Sequence, residues 1–579
     1  MSARTALRLA LAAALAAAPA LAAQEQVQVI RPEARATDSA AARLPAEIVQ
    51  EAMHAYNDSL TTRVIGNFII PAGSRHSGPI AIYRGSLRVS GEMTGRVTII
   101  NGDLIVDATA RVSGAVLVVG GRIDVKAGGV IEGRQRAFQK PALLYRTGAG
   151  LLALRDEPRT LGSLASGSAS LTSGRFRTTL SVETGRTYNR VEGLPIVVGP
   201  SVMREGLKDI DGRLDLRGTG WTAPDRTHRR ARFGYSARME FRFGASRRLT
   251  VGGEFYRHIT PIEEQPLSRS EAGWSAFLFQ RDHRDFYQAQ GIAGYASYRF
   301  DGGLTFDASL RRDLERSVPA SDPISIFRNS AWRPNPLIDD GHFITTRAGL
   351  TYDTRNDTES PASGWLVRGW WERALSDDAA LLSFPTEVRD PIPTGRYSSE
   401  RIMLDARRYA RFNPSVRASL RLSAAGWVKG DPLPVQRRMA LGGPDILPGY
   451  GFRSQNCAPA ALADPSHPAL CDRMIALQLE IRTRTRFGLP IPTADPYVTG
   501  LQRLLAIREP DIVLFGDAGK AWITGVGPGR IPNDRLPVLR EWDYDVGLGL
   551  DAGGLGLYLT QPLTDRRPIT LTARLQRRF

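Results

Sequence analysis

The sequence predicts an all-β protein: a transmembrane antiparallel β-barrel of about sixteen strands preceded by a small β-solenoid. Three observations predict it. Many segments alternate apolar and charged residues over about ten positions, the length at which a tilted strand crosses a bilayer. A stretch ahead of them repeats with a period of 19 residues. The chain ends on an alternating segment whose last residue is Phe579.

The N-terminus is read as a targeting element and set aside from the fold. Arg4 and Arg8 precede the apolar run "LRLALAAALAAAPALA", and Ala20-Leu21-Ala22 fits a small-x-small cleavage site, so residues 1–22 read as a secretory signal peptide. Residues 23–60 form a leader rich in Ala, Arg, Glu and Pro, with "LPAEIVQEAMHAYND" (44–58) as one short helix. No later apolar run has the length of a transmembrane helix. An exported chain of this kind is periplasmic, secreted, or a barrel, because alternating strands escape a hydropathy scan. The barrel reading places it in the outer membrane of a diderm bacterium, with its N-terminal part in the periplasm.

Residues 61–133 carry the repeat. "GRVTIINGDLIVDATARVS" (95–113) aligns without a gap on "GAVLVVGGRIDVKAGGVIE" (114–132): Val97 falls on Val116, Ile99 on Val118, Gly102 on Gly121, Leu104 on Ile123 and Val106 on Val125. A shorter copy is "GPIAIYRGSLRVSGEMT" (78–94). Alternate apolar residues with glycine at the corners describe short strands and tight bends, and three copies stack as rungs of a solenoid. The repeats resemble those of bactofilin-type polymer-forming proteins. That resemblance implies a scaffold contact or self-association through the solenoid.

Residues 134–185 read as linker and barrel entry, and 186–579 as the barrel. In "RFGYSARMEFRF" (232–243), Phe233, Tyr235, Ala237, Met239, Phe241 and Phe243 share one face. In "ITLTARLQRRF" (569–579), Ile569, Leu571, Ala573 and Leu575 oppose Thr570, Thr572, Arg574 and Gln576. A soluble sandwich would bury the apolar face; a barrel turns it to lipid and the charges to the lumen. Strand length favours the barrel, as do aromatics near strand ends (Trp365, Trp370, Trp371, Tyr409, Trp427, Trp522). The first strand is expected at "NRVEGLPIVVG" (189–199).

The formal charge is +17. For an exported chain, this excludes nucleic acid and favours outer-membrane lipids and lipopolysaccharide as partners. Cys457 and Cys471 are the only cysteines. In an oxidising compartment they form one bridge, worth roughly 3 kcal/mol by loop-closure entropy. Catalytic patterns are missing: the seven histidines are dispersed, and there is no His-Glu-x-x-His or Gly-x-Ser-x-Gly. No metal or cofactor is expected and the protein is read as a non-enzyme. "QRDHRDFY" (280–287), with His283 between Asp282 and Asp285, reads as a charged barrel turn rather than an acid/base group. "DTRNDTES" (353–360) reads as a solvated turn rather than a calcium loop, because its spacing is not that of an EF-hand.

The most unusual stretch is "MALGGPDILPGYGFRS" (439–454). Its glycines permit positive φ and close backbone approach, and Pro448 before Gly449 suits a type II turn. A phosphate loop is excluded, since no Lys-Ser/Thr and no helix follow. It is succeeded by the strands "MIALQLEIRTRTRF" (474–487), "IVLFGDAGKAW" (512–522) and "YDVGLGLDAGGLGLYLTQPL" (544–563). That order, with "YNRVEGL" (188–194) and "YDTRNDTESPASGW" (352–365), resembles the bacterial surface antigen superfamily. This superfamily includes the barrel-assembly factor and the two-partner secretion transporters. "QRDHRDFY" also resembles an Asp-x-x-Asp-Tyr/Phe-Tyr turn of such barrels.

The resemblance implies an extracellular loop folded into the lumen. Gly442, Gly443, Gly449 and Tyr450 match its tip, Asp517 and Gly519 match the inner wall, and Phe579 matches the barrel-insertion signal. Pro448 stands where the resemblance implies an arginine for Asp517; Arg453 is the expected substitute. No POTRA unit is read before the barrel. The implied function is non-catalytic assembly, insertion or translocation of a protein or amphiphilic client at the outer membrane. The alternative is a structural or passive pore tethered to a periplasmic scaffold through the solenoid.

Overall fold

The computed structural model describes residues 46–578 apart from breaks, the longest at 155–165, 224–232, 458–467 and 486–509. The signal peptide and Phe579 lie outside the described residues. Helix α1 (Ala46–Asn57) leads into the solenoid, whose short strands stack into three parallel sheets, one of five strands and two of four. The five-stranded sheet runs from Thr62–Ile65 to Gln135–Phe138, so rungs lie on both sides of the three copies legible in the sequence.

The register is the one the repeat dictates. Val97 pairs Val116 and Ile99 pairs Val118 in one sheet; Leu104 pairs Ile123 and Val106 pairs Val125 in another. Parallel stacking in register puts like residues over like, so Ile82, Ile99 and Val118 form a fully buried column. Each such side chain contributes about 1.5–3 kcal/mol by leaving water. Helix α1 closes one sheet by laying Ala52 and Tyr56 on Tyr83, Ile100 and Val119.

The corners need glycine for space. A Cβ on Gly102 would lie 1.7 Å from the Gly85 carbonyl oxygen, and one on Gly121 would lie 1.9 Å from that of Gly102. Backbone cannot yield as a side chain tip can. Gly102→Ala is therefore expected to part neighbouring rungs. The check is limited proteolysis of the intact protein, with early cleavage inside 61–133 while the barrel persists.

The C-terminal unit is one antiparallel sheet of seventeen long strands in consecutive order, joined by a two-residue strand at Arg530–Ile531. They are β1 (Ser166–Ser173), β2 (Phe176–Thr184), β3 (Ile196–Leu207), β4 (Ile210–Gly220), β5 (Phe233–Phe243) and β6 (Leu249–Pro261). After helix α2 (Arg269–Phe279) come β7 (Phe286–Arg299), β8 (Leu304–Ser317), β9 (Gly341–Asp353), β10 (Gly364–Ser376), β11 (Tyr397–Arg411) and β12 (Val416–Gly430). The last are β13 (Arg473–Arg484), β14 (Asp511–Thr524), β15 (Asp543–Ala552), β16 (Leu555–Pro562) and β17 (Thr570–Arg574).

The alternation is resolved as a membrane barrel resolves it. Leu548, Leu550, Leu557, Leu559 and Leu571 are exposed on the outer face, each more than half. Glu315, Glu372, Arg421, Asp517 and Arg574 are buried on the inner one. Among the described residues no helix is long and apolar enough to cross a membrane.

Three expectations are corrected here. The sheet begins at Ser166, not at Asn189: β1 and β2 fall in the segment read as linker and entry, because "SGSASLTSGRFRTTLSVE" is too rich in Ser and Thr to show an apolar face. The seam is therefore not bounded by "NRVEGLPIVVG". The last strand ends at Arg574, since Leu575 gives its N–H to Glu271 of α2 at 2.8 Å rather than to a neighbouring strand. The aromatic girdle is also smaller than expected. Trp365 lies outward beneath Arg408, 5.1 Å from its ring centre. Trp370 lines a cavity in the lumen, and Tyr409 and Trp522 are buried.

The connections differ between the two ends of the barrel. The turns 244–248 and 300–303 lie at one end, the short-turn end; the connections 262–285, 318–340 and 431–472 lie at the other. The solenoid meets the short-turn end, where Asp103 pairs Arg411 at 3.3 Å.

Candidate functional site: the lumen loop and its anchors

The loop between β12 and β13 folds inward and is held at its root, its return, its tip and its flank. At the root, a 3-10 turn (Val435–Arg437) buries Arg437. Its guanidinium meets Glu315 of β8 at 2.8 Å and Glu372 of β10 at 3.2 Å, over the Phe343 ring. At the return, the Cys457–Cys471 disulfide joins chain segments whose Cα atoms are 4.9 Å apart. Backbone bridges Met439↔Cys471 and Leu441↔Gln455 continue the pairing.

The tip packs on the wall formed by β13 to β16. Leu441, Ile446, Leu447 and Tyr450 are buried with Met474, Ala476 and Ala521. The Gly449 N–H donates to Asp545 at 2.8 Å, and the Tyr450 hydroxyl donates to the Tyr544 carbonyl at 3.0 Å. The turn is not type II. Tyr450 N–H closes on the Leu447 carbonyl at 3.0 Å, but the positive φ belongs to Leu447 (59°), ahead of the Pro-Gly pair. Gly442 and Gly443 do take positive φ, 109° and 126°.

Gly519 serves the wall by being small. A Cβ there would lie 2.5 Å from the Leu441 side chain and 3.2 Å from the Ile475 carbonyl oxygen. Gly519→Ala is expected to cost about 1–3 kcal/mol of loop docking by overpacking, and Leu441→Ala in the same chain to recover part of it. Thermal unfolding of the two variants in detergent checks this.

Asp517 is not met by the loop. Arg453 was expected to serve it and does not; the guanidinium at Asp517 comes from Arg578, which also lies 3.7 Å over the Phe515 ring. Asp517 stands on β14, and β15 and β16 separate it from β17. An arginine still in β17 would be about 14 Å away, three strand spacings. Arg578 reaches Asp517 because the chain leaves the sheet after Arg574 and enters the lumen.

Arg453 instead meets Asp285, at 2.5 Å, and Glu263, at 3.0 Å. Asp285 also takes Arg190 at 2.5 Å and Arg333 at 2.7 Å. Three stretches singled out in the sequence thus converge on one carboxylate: "YNRVEGL" through Arg190, "QRDHRDFY" through Asp285, and the loop tip through Arg453. Burial pushes Asp285 up, but the fields of Arg453, Arg333 and Arg190 outweigh it and hold it well below the usual carboxylate range. His283, in the same connection, sits edge-on to Phe452. Burial, then the charges of Arg333, Arg281 and Arg453, push it down to about 4, so its ring is neutral near pH 7.

A second plug element had no counterpart in the sequence reading. Helix α2 starts at a capping box, Ser268 with Glu271, and packs Ala276 on Tyr188 and Trp332. Glu271 meets Arg574 of β17 at 2.9 Å, and Arg574 also takes Asp445 of the loop at 3.3 Å. Asp445 reaches on to Arg421 of β12 at 3.4 Å. Loop, plug helix and last strand therefore share one buried charge network. Of the calcium alternative, Asp353 is taken by Arg355 at 2.6 Å, and 356–360 lie outside the described residues.

Fold and site together define a transmembrane barrel with a loop pinned inside its lumen. Residues 221–489 match the Omp85 superfamily domain, which takes in the loop but stops short of Asp517. Among solved structures, BamA from Haemophilus ducreyi lacking POTRA domains 1–3 is similar at 13% identity and a TM-score of 0.39, over 72% of this chain and 75% of that one. CdiB from Acinetobacter baumannii is similar at 12% identity and 0.27, over 69% of this chain and 61% of that one. No curated protein matches the chain. The superfamily domain and the barrel imply an outer-membrane location.

Proposed function

We propose that the protein assembles, inserts or translocates a protein or other amphiphilic client at the outer membrane, without catalysis. The observation that carries this reading is the coupling at the last strand. β17 holds β16 over five residue pairs only, Gly556↔Arg574 to Thr560↔Thr570, and its Arg574 is bound to both plug elements. Parting a short strand costs few backbone hydrogen bonds, and here it would also shift Glu271 and Asp445. The barrel edge and the lumen plug would move together. In this reading the short-turn end and the solenoid face the periplasm, and the outer apolar belt meets lipid and lipopolysaccharide.

Depleting the protein and measuring the outer-membrane proteome tests the proposal. Loss of particular barrel or exported proteins is expected; an unchanged proteome sinks it. The competing reading, a passive pore tethered through its solenoid, draws on the docking of Asp103 on Arg411 at the barrel mouth. It requires a steady wide conductance in planar bilayers that deleting the loop leaves unchanged. The anchored loop favours a small conductance that rises on deletion.

A further inference from the structure

The connection from β14 to β15, residues 525–542, opens at the same end as the lumen loop, since Trp522 near the end of β14 pairs Arg473 at the start of β13. The lumen loop folds inward from that end; this connection folds outward. On β15, Asp543 and Asp545 meet Gln455 and Gly449 of the lumen loop, so odd positions face in. Leu548 and Leu550 are exposed on the outer face, so even positions face out. Tyr544 is therefore outward, and Trp542 continues the same face. The Tyr544 hydroxyl donates to the Leu539 carbonyl at 2.6 Å, and the Trp542 indole N–H donates to the Pro537 carbonyl at 3.3 Å. On β13, Met474 packs on the loop tip, which turns Arg473 outward, and its guanidinium donates to the Asn533 carbonyl at 3.0 Å. Side chains of the lipid-facing wall thus hold the connection at three of its carbonyls.

The surface this connection presents is apolar and charged by turns. Leu536 is 70% exposed, Leu539 59% and Val538 49%. Arg530, Asp534, Arg535, Arg540 and Glu541 are exposed on the same stretch. Such a mixture suits a membrane interface, where aliphatic groups enter the acyl region and charges of both signs stay among the headgroups. Tryptophan and tyrosine favour the same depth, and Trp542 and Tyr544 stand on this face.

We propose that residues 529–542 form an interfacial foot that puts Leu536, Val538 and Leu539 into the lipid of the outer leaflet. The occupant is lipid because the patch continues an existing lipid surface: the outward positions of β15 run from Trp542 and Tyr544 to Leu548 and Leu550 of the apolar belt. Tyr544 stands at the join. Its carbonyl accepts from Tyr450 of the loop tip at 3.0 Å, while its hydroxyl holds the foot. Loop tip and foot therefore grip β15 from opposite faces. The choice of leaflet follows the orientation proposed above, with the solenoid in the periplasm; the lipid contact is independent of client handling and would stand if that reading fell.

The test places a polarity-sensitive thiol dye on Val538→Cys of the full-length protein, in phosphatidylcholine vesicles with and without bromine on the acyl chains. Cys457 and Cys471 are bonded to each other, so the introduced thiol takes the dye. Emission is expected at shorter wavelength than from the same dye on Leu60→Cys, at an 81% exposed position of the solenoid. Brominated lipid is expected to quench it as it quenches a dye on Leu550→Cys in the belt. Leu539→Cys provides a second reading if Val538→Cys loses heat-modifiable migration, the sign of a folded barrel. Water-like emission without bromine quenching overturns the proposal. Short-wavelength emission without bromine quenching overturns it too, in favour of a protein contact.

Discussion

Asp285→Asn is expected to destabilise the plugged barrel by about 3–5 kcal/mol, the cost of removing one partner from a buried ionic cluster. Asp285 is fully buried and meets Arg190, Arg333 and Arg453, so its loss leaves three guanidinium groups sharing what remains. Asp282 stays 3.2 Å from Arg190, and Glu263 stays 3.0 Å from Arg453. Arg333 loses its 2.7 Å ion pair and keeps its donations to the carbonyls of Asp282 and Arg284. The temperature at which the folded, fast-migrating band converts on a gel should fall. Conductance should rise as the loop tip comes free. Asp282→Asn should cost much less, because the Asp282 carboxylate pairs with only Arg190 of the three and its carbonyl is kept. Equal effects from the two variants would mean that Asp285 is no hub.

How much of this was legible follows from what each signal encodes. The solenoid register was readable residue by residue, because parallel in-register stacking repeats the same environment every turn: Val97 on Val116 in sequence is Val97 beside Val116 in space. The barrel was readable from alternation wherever one face is strongly apolar, as in β5 and β12. It failed at β1 and β2, where serine and threonine blur the two faces. Helix α2 carries a capping box, Ser268-x-x-Glu271, that would have announced it. In the loop, glycine, proline and tyrosine reveal a turn that must pack closely, and Leu447 and Tyr450 are buried there.

The partners of the buried charges were not legible. Arg453 and Asp285 are far apart in sequence, and alternation says only that a charge faces the lumen, never which charge it meets. Arg578 was hidden for another reason. Extending the alternation of "ITLTARLQRRF" to the end makes the last residues strand, whereas Leu575 is captured by Glu271 and the chain turns inward.

That inward turn answers the departure at Pro448, and the answer can be tested by moving the charge. Arg578→Ala is expected to cost about 3 kcal/mol, since it leaves Asp517 buried without its guanidinium. The cost is aggravated by register: Asp517 stands directly opposite Asp545 on β15, so two carboxylates would face each other with only the Gly449 N–H donating to them from the loop. Asp517→Asn should recover most of the loss, because a neutral amide needs no counter-charge. Pro448→Arg should recover it by a different route. Residue 448 precedes the Gly449 amide that already lies 2.8 Å from Asp545, and its carbonyl accepts from Thr570 of the last strand at 3.0 Å, so an arginine there starts beside the carboxylate pair. Unfolding and refolding the purified variants in detergent keeps stability apart from any effect of the C-terminus on insertion in the cell. Rescue by Asp517→Asn but not by Pro448→Arg would show that only the C-terminus can reach the wall. A neutral Arg578→Ala would remove the pairing from the account altogether. Rescue by both would mean that one wall carboxylate needs one arginine and that the fold accepts it from either end, so proline at 448 is tolerated because the chain's own last turn supplies the charge.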